Sequence, residues 1–328
     1  MHRRRALVGV ASATLLVAAP GVHAQSPGPL RRIGFLSGGY VATRAPREAF
    51  VDELAKHGWV AGHNLAIEIR YAEGRYDRLP ALADELVRAN VELIAAGPAP
   101  AAVVAKRATS TIPIVMLTVG DPVGLGLVAS LARPGGNVTG TSFDVSFDVF
   151  RKQLELLREA VPGVRRVAVL VNPANPGLKL ALDAIRTSAS SLGLSAVPVE
   201  ARGPDDFDAA FAQIAGARFG AVLMVTEAVF NAHVAQLVSL AERHRLPTIY
   251  GVRSYVEAGG LLAYGASLEN GFRRSAVFVD RILRGAKPAD LPVEQPSQYE
   301  LAVNLKTARA LGLTLPPTLL SRAHVVVR

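Results

Sequence analysis

The sequence predicts an α/β fold of two Rossmann-like lobes, each a parallel sheet covered by helices. Three observations lead there. From residue 31 onward, apolar runs of strand length alternate with helical patterns, as βαβ units require. Several of those runs are continuously apolar, the mark of strands buried on both faces. The plan also occurs twice. Ile33 and Val167 stand 134 residues apart in matching strands, Gly58 and Gly193 stand 135 apart after matching helices, and Pro113 and Pro247 stand 134 apart in matching strand openings. One supersecondary plan used twice in 328 residues gives two lobes with room for buried cores.

Taken in order, residues 31–37 read as a buried strand, and 44–57 as a helix with Phe50, Leu54 and His57 on one face. Residues 64–71 alternate Leu65, Ile67 and Ile69 with polar side chains, which suits a strand nearer the sheet edge. Asp77 is the expected cap of a helix over 79–90, with Pro80 in its first turn. A strand follows at 91–96, a helix at 99–109, a strand at 112–118, and a helix from Asp121-Pro122 to Arg133. Pro134-Gly135-Gly136-Asn137 then reverses the chain before the β-branched segment 138–141. The stretch 131–142 is expected to join the two lobes.

The second lobe repeats the scheme. Helices are expected at 147–161, 176–192, 205–217 (capped by Asp205), 227–244 and 268–285. Strands are expected at 165–172, 195–200, 220–226, 247–251 and 260–264. A Pro-rich linker, 287–296, leads to a strand at 299–304 and a helix at 306–311, which Pro316-Pro317 stops.

Composition narrows the function. There is no Cys, which excludes disulfides, thiolate metal sites and Cys nucleophiles. The formal charge is +9, of which Arg3, Arg4 and Arg5 supply three, leaving +6 scattered along the chain. A scattered basic balance describes a solvated surface, and no nucleic-acid partner is expected. Arg3-Arg4-Arg5, the apolar stretch from Ala6 to Ala19, and Val22-His23-Ala24 form a signal peptide (residues 1–24) cleaved after Ala24. The Arg run suits general or twin-Arg export. Its apolar stretch is short of the about 20 residues a membrane span needs. No G-x-G-x-x-G follows the first strand, no G-x-x-x-x-G-K-[ST] loop occurs, and Gly265-Ala266-Ser267-Leu268-Glu269 lacks the closing Gly of a nucleophile elbow. The mature histidines show no H-E-x-x-H spacing. No catalytic residue, metal or cofactor is expected.

In open parallel sheets ligands sit beyond the carboxyl ends of the strands. The loops there are small and polar. They are Ser37-Gly38-Gly39-Tyr40, Gly97-Pro98-Ala99, Thr118 to Asp121, Asn172 to Asn175, and Thr226-Glu227. Gly lets a ligand approach the backbone, and free amides at a helix start favour an anion. An amino-acid carboxylate fits such a nest, with Asp121 or Glu227 available for its ammonium. Singly, each reads first as a turn residue, and Asp121 as an N-cap; together the loops read as a binding site. Tyr40, Tyr250, Tyr264 and Phe230 fall near strand ends and are candidates to stack on a ligand, while Trp59 reads as packing.

Several spaced segments carry a resemblance. They are Gly74-Arg75-Tyr76-Asp77-Arg78-Leu79-Pro80, Ile112-Pro113-Ile114-Val115, Gly120-Asp121-Pro122-Val123 and RPGGNVTG. Further along come Val171-Asn172-Pro173-Ala174-Asn175-Pro176, Asn304-Leu305-Lys306-Thr307-Ala308 and Leu311-Gly312-Leu313. With them the mature chain resembles the ABC transporter substrate-binding proteins of the tryptophan/tyrosine-type group. One position departs: Ala99 precedes Pro100 where that family often has a small hydroxyl residue. The resemblance implies a type I periplasmic-binding-protein architecture with a hinge between lobes and three crossovers. It assigns residues 31–142 plus 265–292 to an N-terminal lobe and 143–264 plus 293–328 to a C-terminal lobe. It also implies an exported, periplasmic, monomeric receptor for a small organic solute, presented to an inner-membrane permease. The alternative is a periplasmic ligand-sensing module for a signalling receptor. An exported enzyme, a third class, lacks a nucleophile and a metal site.

Overall fold

The computed structural model describes residues 30–41, 44–144 and 148–328, so the expected leader and the expected helix start at Phe147 lie outside the described residues. Five strands form the first sheet: β1 (Arg31–Ser37), β2 (Leu65–Tyr71), β3 (Leu93–Gly97), β4 (Ile114–Val119) and β5 (Val138–Ser142). Their order is β2-β1-β3-β4-β5, every pair parallel. The second sheet holds β6 (Arg166–Val171), β7 (Ser195–Glu200), β8 (Ala221–Met224), β9 (Thr248–Tyr250), β10 (Leu262–Gly265), β11 (Glu300–Asn304) and β12 (Val325–Val327). Here the order is β12-β11-β10-β9-β8-β6-β7, parallel apart from the β10–β11 pair. The run β2-β1-β3-β4-β5 thus has the same winding as β7-β6-β8-β9-β10, the structural counterpart of the 134-residue offset. The edge strand expected at 64–71 is β2.

Both faces of each sheet are covered, which is why its central strands are continuously buried. In the first lobe, α1 (Arg44–Lys56) sets Phe50 and Leu54 against Ile33 and Phe35. On the other face, α2 (Leu79–Arg88) and α3 (Ala99–Ala108) cover Leu36, Ile94 and Met116. In the second lobe, α4 (Asp148–Ala160) and α5 (Leu178–Ser191) pack on Val167, Val169 and Leu223. The opposite face is closed by α6 (Pro204–Gly216), α7 (Ala228–Ala232), α8 (Val234–Arg243) and α9 (Ser254–Glu257) over Ala168, Leu170 and Val222.

The chain then returns to the first lobe. Helix α10 (Leu268–Leu283) sets Phe278 and Val279 among Phe35, Phe50 and Leu117. The segment after it stays there: Val293 N donates to Leu131 O at 2.8 Å, and Glu294 N to Gly140 O at 2.9 Å. Only beyond it does β11 rejoin the second sheet, followed by α11 (Leu305–Ala310) and α12 (Pro317–Leu320). The lobes are therefore linked by three passages.

Six local expectations are corrected. Residues 121–133 form turns rather than a helix, because Gly124 and Gly126 (φ +67°) interrupt the apolar run. The 134–137 turn lies within the first lobe, where β5 completes the first sheet before the chain crosses. Asp77 sits inside a short 3₁₀ turn, Tyr76–Arg78, and Gly203 rather than Asp205 is the N-cap of α6. The helix expected over 227–244 breaks at His233 into α7 and α8, and Pro317 starts a helix instead of ending one.

Candidate ligand-binding cleft

The carboxyl ends of β1, β3 and β4 meet those of β6 and β8 across a cleft of about 160 Å³. An apolar cavity of about 150 Å³ accommodates benzene, so the space takes one aromatic ring or a body of similar size. The wall is mainly apolar. Phe35, Tyr71 and Phe272 come from the first lobe, Phe143 from a passage between lobes, and Val149, Phe150, Leu178 and Val225 from the second lobe.

Among the residues singled out by sequence, Ser37, Gly39, Tyr40, Pro98, Ala99, Thr118, Asn172, Asn175, Thr226 and Glu227 line this cleft. Gly38, Gly97, Asp121 and Tyr264 are not in its wall. Gly38 lies under the Tyr76 ring, where a Cβ would stand 2.8 Å from Cε1, and Gly97 packs against the Leu117 backbone. Asp121 turns its Oδ1 to Gly124 N at 2.8 Å, closing its own turn. Tyr264 stacks on Tyr299 with centroids 5.8 Å apart. Tyr250 and Phe230, expected near the cleft, are fully buried in the second-lobe core, and Tyr250 stacks on Tyr255 at 4.4 Å.

Glu227 is the most constrained polar group here, at 3% exposure. As N-cap of α7 it accepts Ala228 N at 3.0 Å on Oε1. The same oxygen accepts the Tyr76 hydroxyl from the first lobe, and Oε2 accepts Asn175 Nδ2 at 2.6 Å. Burial pushes its carboxyl above the ordinary value despite those donors. Burial, then the neighbouring Glu227 charge, likewise holds the Tyr76 hydroxyl well above its ordinary range. The break at His233 serves the same side, because it sets that ring edge-on to Tyr40 at 5.1 Å. These two contacts, Tyr76–Glu227 and Tyr40–His233, join the lobes across the mouth.

Thr118 holds a φ of +53°, costly for a β-branched residue, and its N–H is held by Thr141 Oγ1 at 3.1 Å. Such backbone persists where surroundings over-determine it, and it concentrates in ligand-contacting loops.

Sequence reasoning missed Arg47, Asp144 and Gln153, all of which line the cleft. Arg47 donates to the Tyr71 hydroxyl at 3.3 Å, and among the described residues no carboxylate lies within ion-pair distance of it. Arg47 and Gln153 sit in the first turns of helices, not in the strand-end loops. The available signal was that a helix following a strand-end loop aims its first turns at the same cleft.

The family model for ABC transporter substrate binding proteins matches residues 40–327. The chain belongs to the ABC transporter substrate-binding protein family. It is thus a binding protein rather than an enzyme, and its partner is a small molecule. A tyrosine-binding protein of Clostridioides difficile is 27% identical over 268 residues, covering 81% of this chain and 76% of that protein. Among solved structures, an ABC domain in complex with L-Trp from Streptococcus pneumonia superposes with a TM-score of 0.83 at 24% identity, covering 90% of this chain and 99% of that one. A ligand-free, open substrate-binding protein from Clostridium difficile is 28% identical with the same coverages, yet its TM-score is 0.63. The open structure has the higher identity and the poorer superposition. In this chain the two lobes touch across the cleft through Tyr76–Glu227 and Tyr40–His233.

Proposed function

We propose that the protein is the exported capture component of an ABC importer, holding a small carboxylate with an aromatic or apolar body between its lobes. Arg47 takes the carboxylate, the Phe and Tyr wall takes the body, and the closed form is what an inner-membrane permease reads. The observation that carries the reading is a ring-sized apolar cleft built from both lobes whose wall holds a guanidinium with no carboxylate partner among the described residues. A ligand touching both lobes stabilises the closed arrangement by its differential contacts, which is a hinge-type population shift. The tyrosine-binding and L-Trp-bound relatives support an aromatic amino acid. The Arg3-Arg4-Arg5 leader supports export, and a monomer suffices because one chain supplies both walls.

The test is a thermal-shift screen of residues 25–328 against L-tyrosine, L-tryptophan, benzoate, 4-hydroxybenzoate and short aliphatic acids, with neutral alcohols as controls. A ligand at 100 times its Kd adds about 2.7 kcal/mol of stability. Stabilisation by at least one aromatic carboxylate, lost in Arg47→Met, is expected. A flat response to every acid, or an unchanged response in Arg47→Met, overturns the reading.

A further inference from the structure

Gln153 stands in the cleft wall on α4 and is 2% exposed. Its amide orientation is fixed, because the Tyr264 carbonyl can only accept and receives Nε2 at 2.7 Å. That leaves Oε1 buried without a hydrogen-bond partner. Native proteins rarely leave a buried acceptor in this state, and one that does so beside a ligand cleft is waiting for a donor the chain does not bring.

The surroundings say what kind of donor. Asp144, 4% exposed, lines the same cleft and accepts Val149 N at 3.4 Å. Asp144 and Gln153 stand in the wall of the same cleft, and the Asp144 charge acts on Tyr264, whose carbonyl Gln153 holds. The local field is negative. Burial first, and the Asp144 charge next, push the Tyr299 hydroxyl up to about 12, and the same two causes raise Tyr264. Glu227 is already engaged on both oxygens by Tyr76, Ala228 and Asn175, whereas Gln153 Oε1 has no partner.

We propose that Gln153 Oε1, beside the Asp144 carboxylate, receives the protonated amine of an amino-acid ligand, and that this end of the cleft distinguishes amino acids from their desamino counterparts. The proposal rests on the carboxylate-binding reading above. A site that supplies a buried acceptor rejects the analogue lacking the donor, because the acceptor is then left desolvated and unpaired.

Titration calorimetry with two ligand pairs differing only in the amine tests it: L-tryptophan against 3-(indol-3-yl)propionate, and L-tyrosine against 3-(4-hydroxyphenyl)propionate. The wild type is expected to prefer the amine-bearing member of the pair it binds by about 10-fold or more. Gln153→Met should bring the two members within about threefold, by weakening the amino acid alone. Gln153→Glu, which keeps the length and an acceptor, should retain the preference. Equal binding of both members by the wild type overturns the proposal. So does an undiminished preference in Gln153→Met, or an equal loss for both members, which would mark Gln153 as only a prop for the Tyr264 backbone. The wild-type comparison needs no variant, so a poorly folding Gln153→Met does not shield the proposal. If a desamino acid binds and its amino acid does not, this proposal alone falls. If folded wild type binds none of the four, the reading of the cleft falls and takes this proposal with it.

Discussion

Tyr76→Phe should loosen the closed form without weakening either lobe. The Tyr76 hydroxyl, carried by the 3₁₀ turn of the first lobe, donates to Glu227 Oε1 in the second. Removing it leaves the ring in place against Gly38 but takes one donor from a carboxyl that is 3% exposed. A hydrogen bond to a charged or buried carboxyl is worth about 1.5–3 kcal/mol. That is a factor of about 10 to 150 in the ratio of closed to open forms. The apparent Kd of a ligand that needs the closed form rises by at most the same factor, since only the competent fraction binds. Small-angle X-ray scattering of the unliganded protein should show a larger radius of gyration for Tyr76→Phe, and calorimetry a weaker ligand. Urea midpoints should barely move, because the core clusters of both lobes keep every apolar contact. A variant with unchanged scattering and unchanged affinity would refute the idea that this contact holds the lobes together.

Two further predictions concern proton linkage and backbone geometry. Burial raises the Glu227 carboxyl above its ordinary 4.5, so the native state keeps a proton that the unfolded chain has already released. Stability should therefore fall as pH rises from the ordinary carboxylate range through the raised value and then level off. Urea denaturation between pH 4 and 8 should show this slope in the wild type and not in Glu227→Gln, and parallel curves would show that the group is not raised. Gly140 in β5 has φ +127°, and a Cβ there would stand 2.5 Å from both N and O of Met116. Gly140→Ala combines backbone strain of about 1–3 kcal/mol with a clash against strand backbone that cannot yield. It should lower the urea midpoint sharply, and a shift equivalent to less than about 0.5 kcal/mol would contradict the geometry.

The central strands were legible because burial on both faces writes itself as unbroken apolar runs, and 31–37 appears with the expected bounds. The region 121–133 was not, since its apolar spacing imitates a helix while Gly124 and Gly126 prevent one. The three-residue strand β12 is too short to carry a period. The amphipathic face of α10 shows that it must be covered, but Phe278 and Val279 carry no mark of which sheet does so. In the cleft, the strand-end loops were found through topology, a rule indifferent to side chains. Arg47 and Gln153 were hidden because an Arg or Gln in a helix is ordinarily solvated, and only the packed structure turns them inward. Tyr250 misled in the opposite sense. Its position at a strand end suggested the cleft, yet stacking on Tyr255 inside the core takes the whole ring.

Where the hinge bends follows from what is clamped on either side of it. On the first lobe, Thr139 Oγ1 donates to Leu291 O at 2.6 Å and Ser142 N to Glu294 O at 2.8 Å. Arg274 grips the Glu294 carboxylate with two bonds of 2.6 and 2.7 Å. The chain through Glu294 therefore moves with the first sheet. On the second lobe, β10 pairs with β11 out to Gly265 opposite Glu300, and Gln153 holds the Tyr264 carbonyl. The chain up to Gly265 and from Glu300 moves with the second sheet. In two of the three passages, rotation is left to residues 266–267 and 295–299, few enough to act as hinges that absorb φ/ψ change. Gln153 then has two consequences from one amide. Its nitrogen anchors the last residues before the hinge, and its oxygen is the acceptor proposed above for the ligand's amine, so ligand and strand end would share one side chain.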